Sequence, residues 1–217
     1  MDPNSVALIV VDMNRAHLDI ALNYLPVAPE DSRRILKNVA GKVIPLFRER
    51  RRPIIFVKTV HRVHPETGQP FSVMSPFWKF QMEKKAVSGV GRKRETKAVA
   101  GSTVTELMPE LDVRPEDFIV VKQRYSPFLG TDLEIVLRTL GIKTVVLVGV
   151  NTNNCVLCTA FEAFNRDFAV ILLEDCCASM NGPKFHDTAV EQIRTSLGWV
   201  SSSDKVDAIL NGTFQLS

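Results

Sequence analysis

The chain has 217 residues, of which 45% are hydrophobic and 24% are charged, and its formal net charge is +3 at pH 7. These values are ordinary for a soluble globular protein, and they give no argument for a nucleic-acid partner. The densest basic stretch, residues 84–94, is short and has glutamates beside it, so we interpret it as a solvated surface. This length suits one domain with a sizeable core, and we treat residues 1–217 as that domain.

The start of the chain and its cysteines indicate a cytoplasmic protein. No basic region or small-residue cleavage site precedes the first apolar run, and no apolar run reaches membrane-spanning length. Cys155, Cys158, Cys176 and Cys177 do not form the pattern of a secreted disulfide framework. Cys155 and Cys158 have a C-x-x-C spacing, but the other two cysteines are adjacent and do not complete a zinc site. We therefore expect a reduced, cytoplasmic setting and no membrane partner.

Strand-like and helix-like segments alternate along the chain. Apolar runs of strand length end at polar or turn residues, and stretches with apolar residues at helical spacing lie between them. This alternation predicts an α/β protein with a parallel sheet and helices on both faces, a three-layer Rossmann-like arrangement. The predicted strands are residues 6–11, 53–59, 118–121, 144–150, 169–173 and 199–200.

The predicted helices carry start and stop signals. Apolar residues recur at helical spacing over residues 35–47, where Asp31 is a candidate N-cap and Pro45 should kink or divide the helix. Residues 131–140 have the same spacing, and Thr131 is the candidate cap of that helix. Other predicted segments are a loop or short helix at 16–24, a short helix or turn at 104–111 and a helix at 183–197.

Residues 61–102 do not fit the alternation. Prolines and glycines interrupt this segment, and large apolar side chains such as Phe71, Phe77 and Trp78 lie within it. We interpret the segment as an excursion over the carboxyl edge of the sheet that forms a lid or an oligomer contact. The three aromatic residues are candidate pocket walls, and packing in the core or an oligomer is the equally weighted alternative.

Cys155 follows the strand predicted at residues 144–150. A polar turn, residues 151–154, separates that strand from a helical pattern that begins near Cys155, with Thr152 or Asn153 as the candidate N-cap. Open α/β sheets place their ligand crevices at the carboxyl ends of such strands. The unpaired N–H groups at a helix start favour a thiolate, so we expect Cys155 to ionise easily. A buried, space-filling cysteine is the alternative.

Asp12, Lys122 and Cys155 each close a strand that we predict to be an inner strand of the sheet. Parallel strands end at one edge, so the three side chains should converge there, although each alone has a structural explanation. Their chemistry fits covalent catalysis, in which Asp12 takes the thiol proton and Lys122 holds Asp12 and polarises the substrate. The backbone N–H groups of Asn151 and Cys155 are candidates for an oxyanion hole.

Three sequence motifs resemble those of the isochorismatase-like cysteine hydrolases, and they occur in the family's order. They are ALIVVDMNR around Asp12, VVKQRYSPFLGTDLEIVLRTLGI around Lys122, and GVNTNNCVLCTAFEAFNRDFAVILLEDCCAS around Cys155. The resemblance covers nearly the whole chain and is weakest over residues 61–100. It implies a six-stranded parallel sheet, a homodimer or homotetramer, an Asp12–Lys122–Cys155 triad and a cis peptide between Val150 and Asn151.

The resemblance is greatest to amidohydrolases of small ureido compounds, such as biuret, triuret, ureidoacrylate and carbamoylsarcosine hydrolases. It implies hydrolysis of a C–N bond through a thioester, with release of ammonia or an amine and with no cofactor. Family members that hydrolyse the vinyl ether of isochorismate often lack the cysteine, so the presence of Cys155 favours amide or ureide hydrolysis, and ether hydrolysis is the alternative. Nicotinamidase-like hydrolysis and a non-catalytic binding module are further alternatives.

Four residues are predicted to bind a small-molecule substrate. Tyr125 and Phe128 are candidate pocket walls, and His61 is expected to line the entrance. Asn151, where many relatives have a small residue, is expected either to contact a polar substrate or to fix the turn.

The histidines of the chain give little support for a metal site. His61 and His64 resemble the histidine pair of metal-dependent nicotinamidases, but Val60 stands where an accompanying carboxylate ligand would be expected. We therefore expect no metal. His186 is interpreted as a structural or surface histidine.

Overall fold

The computed structural model describes residues 2–67, 76–77, 80 and 98–215. Six strands form one parallel sheet in the order β3-β2-β1-β4-β5-β6, which confirms the predicted fold class. Most of the predicted excursion at residues 61–102, including Phe71 and Trp78, lies outside the described residues. The strands are β1 Val6–Val11, β2 Ile54–Thr59, β3 Phe118–Lys122, β4 Thr144–Val150, β5 Ala169–Ala178 and β6 Trp199–Ser201.

Helices cover both faces of the sheet. They are α1 Arg15–Leu18, α2 Pro29–Asn38, α3 Ile44–Glu49, α4 Leu133–Thr139, α5 Leu157–Phe164, α6 Pro183–Ser196 and α7 Val206–Leu210. One apolar cluster joins one face of the sheet to α2, α3 and α7, and a second joins the opposite face to α4, α5 and α6. Among the described residues, no helix has the length and apolar character needed to cross a membrane.

β1 contributes to both apolar clusters because successive side chains of a strand point to opposite faces. Leu8 and Val10 belong to the cluster with α2 and α3, whereas Ile9 and Val11 belong to the cluster with α4 and α5. All of β1 is fully buried, and burying each large apolar side chain contributes about 1.5–3 kcal/mol. β1 is therefore held rigidly from both sides up to the residue that precedes Asp12.

β5 is longer than predicted. The sequence predicted an end at residue 173, but β5 runs to Ala178 and its pairing with β4 shifts register between Leu147 and Gly149. Gly149 has a φ of +116°, and a Cβ there would lie 2.1 Å from the carbonyl oxygen of Val11. Only glycine therefore allows the ends of β4 and β1 to approach so closely.

β3 is an edge strand, which corrects the expectation that the strands carrying the three reactive residues are all inner strands. Ile119 and Val121 of β3 are 50% and 48% exposed. The local pattern of a short apolar run does not distinguish an edge strand from a central one, because strand order depends on the whole topology.

Two helix starts differ from the prediction. Asp31 is not an N-cap, because α2 begins two residues earlier, with Pro29 in its first turn and Ala28 at the cap position. α4 begins at Leu133, and the hydroxyl of Thr131 accepts a hydrogen bond from the Leu133 N–H at 3.2 Å, so Thr131 caps the helix from one residue before the formal cap position.

The predicted helical segments at residues 35–47 and 104–111 are present, but their first and last residues differ from the prediction. A π-helical segment, Val39–Val43, divides the predicted helix directly before Pro45, whose missing N–H removes a helical hydrogen bond. The predicted short helix or turn at residues 104–111 consists of two 3-10 turns, Thr103–Thr105 and Pro109–Leu111.

Candidate active site

Asp12 lies at the carboxyl end of β1 and its side chain is buried. The Asp12 N–H donates to the Val57 carbonyl at 2.8 Å, which continues the β1–β2 ladder by one residue. Its φ of +47° then turns the chain away from the sheet. Oδ1 accepts hydrogen bonds from the backbone N–H of Thr59 at 2.8 Å and from the Thr59 hydroxyl at 2.9 Å. These contacts fix the position of the carboxylate.

Lys122, the last residue of β3, is also fully buried. Its Nζ lies 2.8 Å from Asp12 Oδ2 and 3.2 Å from Cys155 Sγ. It also donates to the Thr59 hydroxyl at 2.7 Å and to the Arg124 carbonyl at 3.0 Å. The buried ammonium group therefore contacts the carboxylate and the thiol at the same time.

Thr59 was not singled out by the sequence analysis. It ends β2, which lies between β3 and β1, and its register partner on β3 is Lys122. Its hydroxyl accepts from Lys122 and donates to Asp12, so this one group links the two charged side chains. Its position at the end of the intervening strand is the sequence signal that could have identified it.

Cys155 lies in a π-helical segment, Thr152–Val156, that leads into α5, and its side chain is 7% exposed. The Thr159 hydroxyl donates to the Cys155 carbonyl at 2.6 Å, one turn along the helix. Asn151 occupies the N-cap position and makes no side-chain capping bond, so the prediction of Thr152 or Asn153 as the cap is wrong. The structure thus brings Asp12, Lys122 and Cys155 together at the carboxyl edge.

The turn before Cys155 is anchored to the segment after β5 and to α6. Asn151 is buried, and its Oδ1 accepts from the Met180 N–H at 2.8 Å. The Thr152 hydroxyl lies 2.8 Å from His186 Nδ1, a contact that agrees with a structural role for His186. The Val150–Asn151 peptide is cis, as the resemblance implied. The side-chain oxygen of Asn151 therefore fixes the turn, and its predicted role in substrate binding stays a prediction.

The charges of the site favour a resting state with ionised Asp12, ionised Lys122 and a neutral thiol. Burial acts to raise the pKa of Asp12, but the charge of Lys122 and hydrogen bonds from Cys155 and Lys122 hold it below its usual value. Burial opposes the charge of Lys122, but Asp12 and Cys155 raise the pKa of Lys122. Burial and the Asp12 charge raise the pKa of Cys155 to about 12, although Lys122 acts in the opposite direction.

The raised pKa of Cys155 corrects the expectation that this thiol ionises easily. The sequence shows a helix start and a nearby lysine, both of which favour a thiolate. It does not show that the sulfur is buried against a carboxylate, and these two effects outweigh the lysine. Formation of a thiolate at Cys155 would therefore need a base, and the ionised carboxylate of Asp12 lies beside the thiol.

The remaining predicted binding residues lie in different environments. The side chain of Phe128 is buried in the core, where its ring lies 6.3 Å from the Phe168 ring and 4.8 Å from the Arg166 guanidinium. Tyr125 is 39% exposed. The backbone of His61 bonds to Ala98 and Ala100. The roles of Phe128, Tyr125 and His61 in substrate binding stay predictions.

A cavity of ≈ 710 Å³ lies beside the end of β3. His61 lines it together with the cationic residues Lys58, Arg62 and Arg124, and the Arg124 carbonyl also accepts the hydrogen bond from Lys122. Among the residues that the structure describes, no group of three His, Cys, Asp or Glu side chains could hold a metal ion.

The parallel three-layer fold and the buried cysteine beside an aspartate–lysine pair define an α/β protein with a candidate Asp–Lys–Cys site. The model of the isochorismatase domain matches residues 6–205, and this chain belongs to the isochorismatase family. The match covers all six strands and the three residues of the candidate site.

Curated relatives and solved structures agree with this assignment. The chain is 31% identical over 212 residues to the ureidoacrylate amidohydrolase RutB of Pseudomonas syringae pv. syringae, covering 94% of this chain and 83% of the relative. It is 29% identical over 204 residues to the protein of the same name from Acinetobacter baylyi, covering 93% and 82% of the two chains.

Two solved structures share the fold. A cysteine hydrolase from Pseudomonas syringae pv. phaseolicola superposes with a TM-score of 0.79 at 21% identity, over 99% of this chain and 96% of the other. An isochorismatase family protein from Burkholderia thailandensis superposes with a TM-score of 0.74 at 27% identity, over 97% of each chain.

Proposed function

We propose that this protein is a cysteine-dependent amidohydrolase that cleaves a C–N bond of a small amide or ureido compound. The observation that carries the proposal is the contact of Lys122 Nζ with both Asp12 Oδ2, at 2.8 Å, and Cys155 Sγ, at 3.2 Å. The curated relatives named as ureidoacrylate amidohydrolases support a C–N bond as the target.

In the first half-reaction, Cys155 Sγ attacks the carbonyl carbon while its proton passes to Asp12. The Asp12 carboxylate is suited to accept it, because it is held ionised beside Lys122 and already accepts a hydrogen bond from Cys155. The backbone N–H groups of Asn151 and Cys155 would stabilise the oxyanion. The C–N bond then breaks, and the leaving nitrogen takes the proton from Asp12 to depart as ammonia or an amine.

In the second half-reaction, a water molecule attacks the thioester carbonyl and Asp12 takes a proton from it. The C–S bond breaks, the proton returns to sulfur, and the acid is released. Lys122 stays charged throughout, since its pKa is raised by Asp12 and Cys155 against the effect of burial. Its role is to stabilise negative charge as this passes between the carboxylate, the sulfur and the substrate.

Ureidoacrylate is the first substrate to test. The relatives that bear its name share 29% and 31% identity with this chain. The cavity beside β3 is lined by Lys58, Arg62 and Arg124, and cationic side chains favour a substrate that carries a carboxylate. The predicted homodimer or homotetramer and the cytoplasmic setting remain part of the proposal.

The test is ammonia release from a panel of ureidoacrylate, biuret, triuret, carbamoylsarcosine and nicotinamide. Cys155→Ala should lower turnover at least about a thousandfold, because the covalent route is lost. Cys158→Ala is the matched control and should keep turnover, because Cys158 lies one turn further along α5 and is only half-buried.

Three outcomes distinguish the alternatives. If nicotinamide were the only compound hydrolysed, the nicotinamidase-like alternative would be favoured, and the cysteine-dependent cleavage of a C–N bond would be retained. Hydrolysis of isochorismate that survives in Cys155→Ala would replace the proposal with ether hydrolysis. Failure of every compound with wild-type protein would contradict the assignment of an amide or ureide substrate.

A further inference from the structure

The cavity beside the end of β3 is lined by charges of one sign. Its volume of ≈ 710 Å³ lies within the range of small-molecule sites. Three of its lining residues, Lys58, Arg62 and Arg124, are cationic, and none of the described residues that line it is an aspartate or a glutamate. A cavity with only positive charges in its lining attracts an anionic ligand.

Two of the three cations have no counter-ion. Within the part of the chain that the structure describes, the side chains of Lys58 and Arg62 make no hydrogen bond and no ion pair. Arginines elsewhere are paired with carboxylates, as Arg48 is with Asp117 at 2.9 Å. The cavity therefore offers charged donors that can bind a carboxylate without first giving up an acidic partner.

Apolar side chains line another part of the same cavity. Val121 and Leu129 both line it, and they are 48% and 63% exposed. Chloride or inorganic phosphate would leave these side chains in water, whereas the hydrocarbon part of an organic acid would cover them. The lining therefore favours a carboxylate that is carried on a short carbon chain.

Lys122 joins the wall of the cavity to the candidate active site. Arg124 lines the cavity, and its carbonyl accepts a hydrogen bond from Lys122 Nζ at 3.0 Å. The same Nζ lies 3.2 Å from Cys155 Sγ. A single side chain therefore connects the cavity wall to the thiol, and a ligand in the cavity lies close enough to act on the candidate site.

We propose that this cavity binds the carboxylate of a small organic acid through Lys58, Arg62 and Arg124. The carboxylate can come from two sources, the substrate itself or a separate organic acid, and both present the same group to the same cations. Binding in the cavity does not depend on the reaction at Cys155, so the inference goes beyond the proposed function.

Calorimetry tests the site without turnover. Succinate is the probe, and the diol with the same carbon chain is the uncharged control. At constant ionic strength, which keeps the screening of charges equal, succinate should bind saturably to wild-type protein and the diol should not bind. The absence of saturable succinate binding would overturn the proposal.

Two double variants show whether the binding belongs to this cavity. Lys58→Gln with Arg62→Gln removes the two unpaired cations, so the affinity for succinate should fall about ten- to hundredfold. Arg33→Gln with Lys37→Gln removes the same net charge from exposed positions of α2 and should keep the affinity within about threefold of wild type. Urea midpoints check that both variants are folded. An equal loss in the two variants would show a general effect of net charge and would overturn the proposal.

Steady-state kinetics distinguish the two sources of the carboxylate. If succinate raises the KM of ureidoacrylate without changing kcat, the substrate's own carboxylate occupies the cavity. If succinate changes kcat for biuret, which has no carboxylate, a separate acid occupies the cavity and acts through Lys122. Both results support the site. If neither compound is hydrolysed, the proposed function loses support, and calorimetry still decides whether the cavity binds the acid.

Discussion

Asp12 and Asp175 both follow apolar runs at the carboxyl side of the sheet, but the structure gives them different surroundings. The carboxylate of Asp175 accepts from the Ser203 N–H at 2.8 Å, the Ser203 hydroxyl at 2.6 Å and the Asn38 side chain at 3.1 Å. Asp12 Oδ1 accepts from Thr59, and its Oδ2 lies 2.8 Å from the ammonium group of Lys122, which also contacts Cys155 Sγ.

The comparison separates a structural carboxylate from the carboxylate that we propose as the base. Asp175 is bound by neutral donors that tie β5 to α2 and to the turn before α7, and both of its oxygens are occupied. Asp12 is fully buried, and the charged Lys122 and the neutral thiol of Cys155 lie beside its carboxylate. Asp12 is therefore distinguished by a buried ammonium group and a thiol beside its carboxylate, and a sequence pattern does not show these neighbours.

The largest expected difference is in turnover. Asp12→Asn removes the base, so turnover per folded molecule should fall about a hundred- to ten-thousandfold. Asp175→Asn leaves the base, the lysine and the thiol in place and should keep turnover within about threefold of wild type. Ammonia release, normalised to folded protein, measures both. A comparable loss in Asp175→Asn would mean that the distinction between the two carboxylates is wrong.

A smaller difference is expected in stability. Asp175→Asn replaces an acceptor oxygen with an NH₂ group that faces the donors of Ser203 and Asn38, so the free energy of unfolding should fall by about 1–3 kcal/mol. Urea unfolding followed by circular dichroism measures this loss. Asp175→Ala is the matched control, and an unchanged urea midpoint in both variants would show that these hydrogen bonds contribute no net stability.

The smallest expected effect concerns Thr59. Thr59→Val removes the hydroxyl that links Lys122 to Asp12 but keeps the shape of the side chain and the backbone N–H bond to Asp12 Oδ1. Turnover should fall about three- to thirtyfold, because both charged groups lose one orienting hydrogen bond. Thr59→Ser, which keeps the hydroxyl, should lose less than Thr59→Val. If Thr59→Ser lost more turnover than Thr59→Val, the loss would come from side-chain packing and not from the hydroxyl group.

The sequence predicted the sheet and the convergence of Asp12, Lys122 and Cys155 for a physical reason. Buried parallel strands are continuous apolar runs, and the residues that end them meet at one edge, so Asp12, Lys122 and Cys155 could be placed without coordinates. The edge position of β3 and the length of β5 depend on strand order and on the close approach at Gly149, which local patterns do not encode. The state of the Cys155 thiol depends on Asp12 and Lys122, which are distant from it in sequence.

The most direct test of the central claim is the pH dependence of Cys155 alkylation by iodoacetamide, with the modified peptide identified by mass spectrometry. If burial and Asp12 hold the pKa of the thiol near 12, the wild-type rate should keep rising above pH 10 without a plateau. Asp12→Asn removes the opposing charge and leaves Lys122, so its profile should shift to lower pH and its rate at pH 7 should exceed that of wild type. Asp175→Asn should follow wild type. A wild-type plateau near neutral pH, or the same profile in wild type and Asp12→Asn, would contradict the assignment of Asp12 as the group that controls this thiol.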